Sequence, residues 1–468
     1  MNGVLRRFSA RLGSPPPPSW GGLALCFVWL LLTQGCASTP TRVPVSAALA
    51  DGLAEAPVVL VPGITGSWLQ RDDGEVIWGL GKLVVTPKDR GYSLARSISQ
   101  PVDGADARVE ARFVLDEVSV GPVKRMIYRP LPDYLERHGY RRGKLDAPQP
   151  GDTYFDYAYD WRSDNVYAAR QLHQRLEALA RVRSEEESGD GPLPIDLICQ
   201  SNGAHICRYL AKYGAATLAD AEAGRVVKSD AYRIRKVILI GTSNGGAMRG
   251  LREIHRGRKY IPFIGRVMQP EVLFTLPALF QDLPAYLDRP FVDLDGASLD
   301  LDPFDVDTWV DQGWSIFRAD AAARADLRPD LFGDVDARKA YLKDILDRAR
   351  RLHAVLARDA PSFDGTRIYS IQNAYKETPY RAVVDSQAAD PGRRLLFTGD
   401  PELKDRPYLA SLVSAPGDGH AEFFSQNMFS PQEQAALGAP PYITHGEHFG
   451  LILEPATLRR LLDFLGAP

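Results

Sequence analysis

The sequence predicts an α/β protein built on a doubly wound, mostly parallel β-sheet. Short apolar runs that are rich in β-branched side chains indicate strands buried on both faces. Three such runs lie at residues 58–61, 195–199 and 237–240. Stretches with helical spacing of apolar residues separate them, and this alternation of strand and helix favours a parallel sheet that is covered by helices.

The composition is that of a globular protein. The chain has 468 residues, of which 45% are hydrophobic and 25% are charged, and these fractions are ordinary for a protein with a sizeable core. The net charge is −3 and no basic run occurs, which argues against nucleic acid as a partner. The cysteines and histidines show no spacing typical of a metal site, so we predict neither a metal nor a cofactor.

Residues 1–36 have the organisation of a lipoprotein-type signal peptide. Three arginines precede an apolar stretch at 23–32, which is too short to span a bilayer as a helix. The next residues resemble a lipoprotein cleavage box, in which Cys36 would carry the lipid. The alternatives are a plain secretory signal cleaved near Ala37 and an uncleaved anchor. We expect an exported lipoprotein of the bacterial cell envelope, held at a membrane surface, and alanine after the cysteine favours the outer membrane.

A polar tether is predicted at 37–55 and a catalytic domain at 56–468. An irregular stretch at about 68–123 indicates an excursion from the sheet with lid elements. At about 248–361 the alternation breaks and helical spacing dominates, which predicts an inserted, mainly helical cap. The other predicted elements are helices at 131–138, 166–185, 320–327, 338–357 and 455–465, and an aromatic strand within 153–162 that runs into a turn. The sheet is expected to resume with strands at 366–371 and near 394–397.

Ser201 is the predicted nucleophile. A strand at 194–199 precedes this serine, Gly203 follows it by two residues, and helical spacing begins at 204. A tight strand–turn–helix of this kind presents the nucleophile of α/β-hydrolases, with small residues two positions before and after the serine. Cys199 stands where glycine is usual. The sequence therefore predicts an α/β-hydrolase fold with an imperfect nucleophile motif.

A second serine matches the G-x-S-x-G motif literally. Ser243 lies in the segment 241–245, directly after the strand at 237–240. Further glycines at 245, 246 and 250 oppose an immediate helix there. A nucleophile elbow needs that helix, because the positive end of its dipole faces the oxyanion. We therefore favour Ser201 and keep Ser243 as the alternative.

The acid and the base of such a site are expected later in the chain, in that order. Asp418 lies between two glycines after a strand-like stretch at 412–414, which suits the acid. His448, in the loop before the last helix, is the favoured base, and His445 and His420 compete with it.

The expected oxyanion donors are the backbone N–H groups of Ile64 and Asn202. Ile64 follows the Pro-Gly turn that ends the first strand, and Asn202 follows the nucleophile. These two positions supply the donors in α/β-hydrolases.

Two cysteines flank the predicted elbow. Cys199 ends a strand and Cys207 lies inside the following helix. Because side chains at such positions are expected to point apart, we predict two buried thiols and no disulfide.

Several segments resemble the lecithin:cholesterol acyltransferase family, which includes lysosomal phospholipase A2 and phospholipid:diacylglycerol acyltransferases. The resemblance spans roughly residues 56–465. The matching segments are 57–67, the Tyr-Asp-Trp-Arg motif at 159–162, the Gly-Thr-Pro-like segment at 239–243, the cap-like segment at 274–284, and the motifs around Asp418 and His448. The resemblance implies that Ser243 is not catalytic, because the Gly-Thr-Pro segment carries no nucleophile. The chain departs from the family around Ser201, where the usual motif is His-Ser-Met/Leu-Gly.

The resemblance and the elbow together predict a serine-dependent lipid acyl hydrolase or O-acyltransferase. Ester substrates such as phospholipids would react through an acyl-enzyme on Ser201. One alternative is an esterase or amidase for non-lipid envelope substrates. Another, from a different class, is an inactive hydrolase fold that serves as an envelope scaffold, because fold alone does not guarantee activity.

Overall fold

The computed structural model describes residues 56–81, 89–120, 123–186, 191–258, 268–361, 363 and 365–467. The predicted signal peptide, the tether and Cys36 lie outside these residues. Among the described residues, no helix combines the length and the apolar character needed to cross a membrane.

The described chain contains seventeen strands and fifteen α-helices. The strands are β1 (Val58–Val61), β2 (Ser67–Arg71), β3 (Val76–Trp78), β4 (Val109–Val114), β5 (Glu117–Val120), β6 (Val123–Met126), β7 (Arg142–Lys144), β8 (Tyr154–Asp156), β9 (Leu193–Gln200), β10 (Tyr232–Ile240), β11 (Phe291–Val292), β12 (Arg367–Asn373), β13 (Lys376–Pro379), β14 (Ala382–Val384), β15 (Leu395–Leu396), β16 (Ser414–Gly417) and β17 (Tyr442–Thr444). The helices are α1 (Pro130–Glu136), α2 (Asn165–Glu186), α3 (Gly203–Tyr213), α4 (Leu218–Glu222), α5 (Met248–Arg256), α6 (Pro270–Leu273), α7 (Pro277–Phe280), α8 (Val306–Asp311), α9 (Ala319–Ala325), α10 (Pro329–Phe332), α11 (Val335–Ala357), α12 (Pro407–Val413), α13 (Phe423–Gln426), α14 (Pro431–Ala435) and α15 (Pro455–Gly466).

Seven strands form the central sheet, in the order β17-β12-β10-β9-β1-β8-β7. All neighbouring pairs in it are parallel. Every side chain of β1 is buried, because β1 lies in the middle of the sheet between β9 and β8. The prediction of a parallel, doubly wound sheet is confirmed.

The helix that follows β9 is fully enclosed. Every residue of α3 is buried, and this helix packs against β1, β9 and β10 as well as α2 and α11. The helix α2 begins after Asp164, whose carboxylate accepts the Tyr167 N–H at 2.8 Å in the first turn. Such a side-chain acceptor satisfies a backbone donor that has no partner within the helix. The contacts of α3 with the three strands and the two helices fix the direction in which α3 leaves the sheet.

Three smaller sheets and one hairpin lie outside the central sheet. An excursion is predicted at about 68–123, and the strands there pair outside the central sheet. The order β3-β2-β4 forms one sheet, and β5 pairs with β6. The described residues of the segment 248–361, for which a cap is predicted, include the helices α5 to α11.

Two details of the strand prediction are wrong. The apolar run near 394–397 forms β15, which pairs with β14 in a separate sheet and does not join the central one. The stretch 412–414 before Asp418 is the end of α12, and the strand begins only at Ser414. The aromatic strand predicted within 153–162 is β8, and a turn follows at 161–163.

Candidate active site

Ser201 lies in a strained turn between β9 and α3. Its φ angle is 54°, in the left-handed region that residues other than glycine rarely adopt. Gly203 opens the helix, and a Cβ atom there would lie 2.4 Å from the Val61 carbonyl oxygen. The elbow therefore tolerates no side chain at position 203. Strain of this kind persists only where the surrounding structure holds it in place.

Ser201, His448 and Asp418 form one hydrogen-bonded chain. The His448 Nε2 atom lies 2.8 Å from the Ser201 Oγ atom, and the His448 Nδ1 atom lies 2.8 Å from Asp418 Oδ2. The other carboxylate oxygen of Asp418 accepts the backbone N–H groups of His420 and Ala421, each at 2.8 Å. The three side chains predicted from the sequence are thus brought together.

All three side chains are largely buried, and burial affects the two ionisable groups differently. Burial acts to raise the pKa of the Asp418 carboxyl, but the charge and hydrogen bond of His448 hold that pKa below its ordinary value. Burial lowers the pKa of the His448 imidazole, although Asp418 acts in the opposite direction. The arrangement therefore favours an ionised Asp418 and a neutral His448 that can accept a proton.

The competing residues lie in other environments. The Ser243 hydroxyl donates to the Asp282 carboxylate, and among the described residues no hydrogen bond joins it to an imidazole. His445 is exposed and stacks on Tyr375, with 4.1 Å between the ring centroids. His420 stacks on the face of His448 at 4.4 Å, but its Nε2 atom faces Asp282 and not Ser201.

The loop that carries Ile64 passes directly over the nucleophile. A turn joins the Gly66 N–H to the Gly63 carbonyl at 3.0 Å, and Thr65 adopts a left-handed φ of 68° within it. A Cβ atom at Gly63 would lie 2.8 Å from the Ser201 Cβ atom. Ile64 therefore follows a residue that packs directly against Ser201, and Asn202 directly follows Ser201. The oxyanion roles of these two N–H groups stay predictions.

The sequence reasoning missed Tyr128 and the role of Gln200. The Gly63 N–H donates to Tyr128 Oη at 3.0 Å and to Gln200 Oε1 at 3.2 Å. Tyr128 Oη donates in turn to Gln200 Oε1 at 2.6 Å. Gln200, which stands where the usual motif has histidine, thus joins the elbow to the Gly63 loop through its side chain.

The unusual Asn202 also has buried partners. Its side chain exchanges two hydrogen bonds with Asn165, at 2.8 and 3.0 Å, and donates to Tyr159 Oη at 3.2 Å. The Tyr159 hydroxyl donates to the Pro62 carbonyl at 3.0 Å. Tyr159, the first residue of the Tyr-Asp-Trp-Arg motif, therefore links the start of α3 to the loop after β1.

Cys199 and Cys207 form a disulfide, so the prediction of two free thiols is wrong. The elbow is so tight that α3 runs back beside the end of β9, and the two Cα atoms lie 6.5 Å apart. This separation is within the range that a disulfide spans. The crosslink encloses Ser201 in a short covalent ring.

Removing this crosslink should lower stability without removing any triad residue. For the Cys199→Ala/Cys207→Ala double variant we expect the free energy of unfolding to fall by about 2–3 kcal/mol, because a closed loop with a sequence separation of 8 restricts the unfolded chain. Denaturant unfolding in oxidising buffer measures the difference. Dithiothreitol should destabilise the wild type and leave the double variant unaffected, and equal stability of the two proteins in oxidising buffer would contradict the expectation.

Within the described part of the chain, no group of three or more histidine, cysteine or acidic side chains is placed to hold a metal ion. The chemistry that the triad offers is proton transfer to and from a serine hydroxyl.

No protein-family model and no curated protein matches the chain. A chain in the crystal structure of the Tle4–Tli4 complex is similar in fold, with 12% identity, coverage of 88% of this chain and 97% of that chain, and a TM-score of 0.51. The mature Bacillus licheniformis lipase BlEst2 matches with 11% identity, 91% and 95% coverage, and a TM-score of 0.31.

The chain has the α/β-hydrolase fold. The elbow after β9 in mid-sheet, the acid between β12 and β17, and the histidine after β17 agree with that fold. At 12% identity the likeness to the Tle4–Tli4 chain concerns the fold alone.

Proposed function

We propose that the protein is a serine-dependent ester hydrolase or O-acyltransferase that acts on lipid-like esters. One observation supports this above the others, namely the unbroken hydrogen-bonded chain from Ser201 through His448 to Asp418 at an elbow with left-handed backbone. A serine hydroxyl is a weak nucleophile, and an adjacent base oriented by a carboxylate activates it.

In the proposed reaction, Ser201 Oγ attacks the ester carbonyl while His448 Nε2 takes the hydroxyl proton. The N–H groups of Ile64 and Asn202 stabilise the oxyanion. His448 then gives the proton to the leaving alcohol, and an acyl-enzyme remains on Ser201. Water or an acceptor alcohol attacks this acyl group with His448 again as base. Asp418 keeps the imidazole in the required tautomer throughout.

The lipid character of the substrate is supported by the resemblance to the lecithin:cholesterol acyltransferase family. The motif at 159–162 that resembles the family is built into the site, since Tyr159 contacts both the elbow and the Pro62 carbonyl. The cap-like segment is apolar, and its Phe274, Leu276, Leu279 and Phe280 belong to the buried hydrophobic core. Lipid acyl transfer in such a site would need an apolar cover to exclude water.

The proposed place of action is the exported side of the cell envelope, with an anchor at Cys36. The Cys199–Cys207 disulfide supports export, because structural disulfides form and persist mainly in oxidising compartments.

A fluorophosphonate probe tests the nucleophile. We expect covalent labelling of the wild type and of Ser243→Ala, and none of Ser201→Ala, because only Ser201 contacts a histidine base. Fluorescence of the labelled band in a gel measures the result. Labelling lost only in Ser243→Ala would reverse the assignment, and an unlabelled wild type would favour the inactive scaffold.

Hydrolysis assays separate the substrate classes. Phospholipid vesicles, a short soluble ester and the matching amide are compared with the same enzyme preparation, and Ser201→Ala is the blank. We expect release of fatty acid from the vesicles, and addition of a long-chain alcohol reveals acyl transfer as a new ester. Turnover of the short soluble ester or the amide without any of the vesicles would replace the lipid proposal with an esterase or amidase.

A further inference from the structure

A second imidazole–carboxylate pair lies against the triad. The His420 Nε2 atom is 2.9 Å from Asp282 Oδ2, and Asp282 is almost completely buried. The two pairs, His448–Asp418 and His420–Asp282, place their imidazole rings face to face with an interplanar angle of 23°. The reaction proposed for Ser201, His448 and Asp418 uses neither His420 nor Asp282.

The second pair is joined to the triad at two points. Its ring covers the face of His448, and the His420 backbone N–H donates to Asp418. Asp282 in turn accepts a hydrogen bond from the hydroxyl of Ser243, the serine in the G-x-S-x-G match, and this hydrogen bond helps to hold Asp282 in place. A shift of His420 would therefore disturb both the base and the acid.

The hydrogen bonds of the His420 ring indicate which of its nitrogens carries the proton. The His420 Nδ1 atom is buried and has no hydrogen-bond partner among the described residues, so the Nε2 nitrogen carries the proton that is donated to Asp282. Burial acts against the charge of Asp282, but the imidazoles of His205 and His420 hold the pKa of its carboxyl below the ordinary range. A negative charge thus lies behind His420, partly neutralised by the His420 N–H.

We propose that His420 and Asp282 are positioning residues that hold the His448 imidazole in place and set the pH at which it accepts a proton. This inference rests on the proposed function only in that His448 is the general base. The His448 imidazolium forms while Ser201 is being acylated, and a nearby carboxylate stabilises it whereas shielding of that carboxylate does the opposite.

Other charged groups surround the two pairs. On α5, Arg249 donates to the Gly419 carbonyl at 3.2 Å and Glu253 interacts electrostatically with His420. On α3, His205 lies 4.0 Å from Asp282. Burial raises the pKa of Glu422 well above its ordinary value, which favours the neutral form of this neighbour. All of these groups are unchanged in the variants described below, so a shift in the titration midpoint of His448 can be assigned to the loss of His420 or Asp282.

Two substitutions with opposite expected signs test the proposal. His420→Phe keeps a stacked ring but removes the N–H that shields Asp282, so His448 should become more basic. Asp282→Asn removes the negative charge, so His448 should become less basic. We expect the titration midpoint of His448 to move by about 1 pH unit, upward in His420→Phe and downward in Asp282→Asn.

The readout is an NMR titration of the full protein with isotope-labelled histidine, in which the His448 signal is identified by its loss in His448→Gln. This measurement does not depend on turnover, so it remains decisive if the proposed ester chemistry fails. The acid limb of the pH profile of kcat/KM for an ester should move with the NMR midpoint. His445→Phe, which replaces an exposed stacked histidine, is the matched control and should move neither.

His420→Gln is the conservative variant, because its amide can still donate to Asp282, and it should restore a midpoint close to that of the wild type. Shifts of the same sign in His420→Phe and Asp282→Asn, or an unchanged midpoint in both, would overturn the proposal. Circular dichroism and thermal unfolding identify a variant that fails to fold. In that case Ser243→Ala, which removes the hydroxyl that donates to Asp282 and so leaves its charge less shielded, should raise the His448 midpoint, and an unchanged midpoint in this variant would overturn the proposal.

Discussion

Asp418→Asn is expected to lower kcat/KM for an ester substrate by about 10⁴-fold while the protein remains folded. The His448 Nδ1–H needs an acceptor, and an amide at position 418 can present a donor to it instead, which favours the wrong imidazole tautomer. The loss should lie mainly in kcat, because Asp418 is buried beneath His448 and has no direct path to the substrate.

Glu447→Gln is the matched control for this substitution. Glu447 is exposed, directly precedes His448 and pairs with Lys376, so its loss changes a nearby charge without touching the triad. Steady-state kinetics of the wild type, Asp418→Asn and Glu447→Gln measure kcat and kcat/KM for the ester, and Glu447→Gln should stay close to the wild type. If Asp418→Asn kept full activity while Asp282→Asn lost it, the orienting carboxylate would be Asp282.

Glu433→Gln should destabilise the protein by about 3–5 kcal/mol, because it removes the partner of two buried cations. Both Glu433 oxygens accept from Arg208 at 2.7 Å, and Lys212 lies 3.2 Å away. All three side chains are almost fully buried. Arg208 and Lys212 belong to α3, so the loss would loosen the helix that begins at the nucleophile elbow.

Glu222→Gln is a control with the same geometry at the surface. Glu222 accepts from Arg351 at 2.7 Å, but both side chains are partly exposed, and such pairs contribute about 1 kcal/mol or less. Denaturant unfolding of the two variants compares a buried and an exposed pair directly. Equal losses in the two variants would contradict the role given to burial.

The Glu433 contribution also has a defined pH dependence. Burial alone would raise the pKa of the Glu433 carboxyl, but Arg208, with Lys212 beside it, lowers it from 4.5 to about 2. A carboxyl whose pKa is lower in the folded state stabilises the fold above its unfolded pKa, and this stabilisation is lost as the pH falls toward the folded value. The wild type should therefore lose this stability between about pH 4.5 and pH 2, and Glu433→Gln should lack that component.

The central sheet and the triad could be predicted because each depends on a local pattern or on chain order. β1 and the last four residues of β10 are continuous apolar runs, and the helix that must follow an elbow distinguishes Ser201 from Ser243. Asp418 and His448 were found from their order along the chain. The oxyanion roles of Ile64 and Asn202 and the lipid anchor at Cys36 stay predictions.

Other features could not be predicted because their partners are far apart in sequence. Tyr128 and Gln200 are separated by 72 residues, and Asp282 and His420 by 138. No local pattern brings such side chains together. The apolar run at 394–397 was correctly recognised as a strand, but periodicity does not reveal which sheet a strand joins. The Cys199–Cys207 pair was missed because its geometry depends on how sharply the elbow folds α3 back over β9.

The covalent ring around Ser201 makes the state of the elbow readable by mass spectrometry. No lysine or arginine lies between Arg183 and Arg208, so trypsin releases Ser201 and both cysteines in one peptide, and Ser243 falls in another. The mass of the first peptide reports crosslink and probe together, since closing the disulfide removes two hydrogens and labelling adds the probe. A single digest can therefore reveal whether the molecules that react are the crosslinked ones.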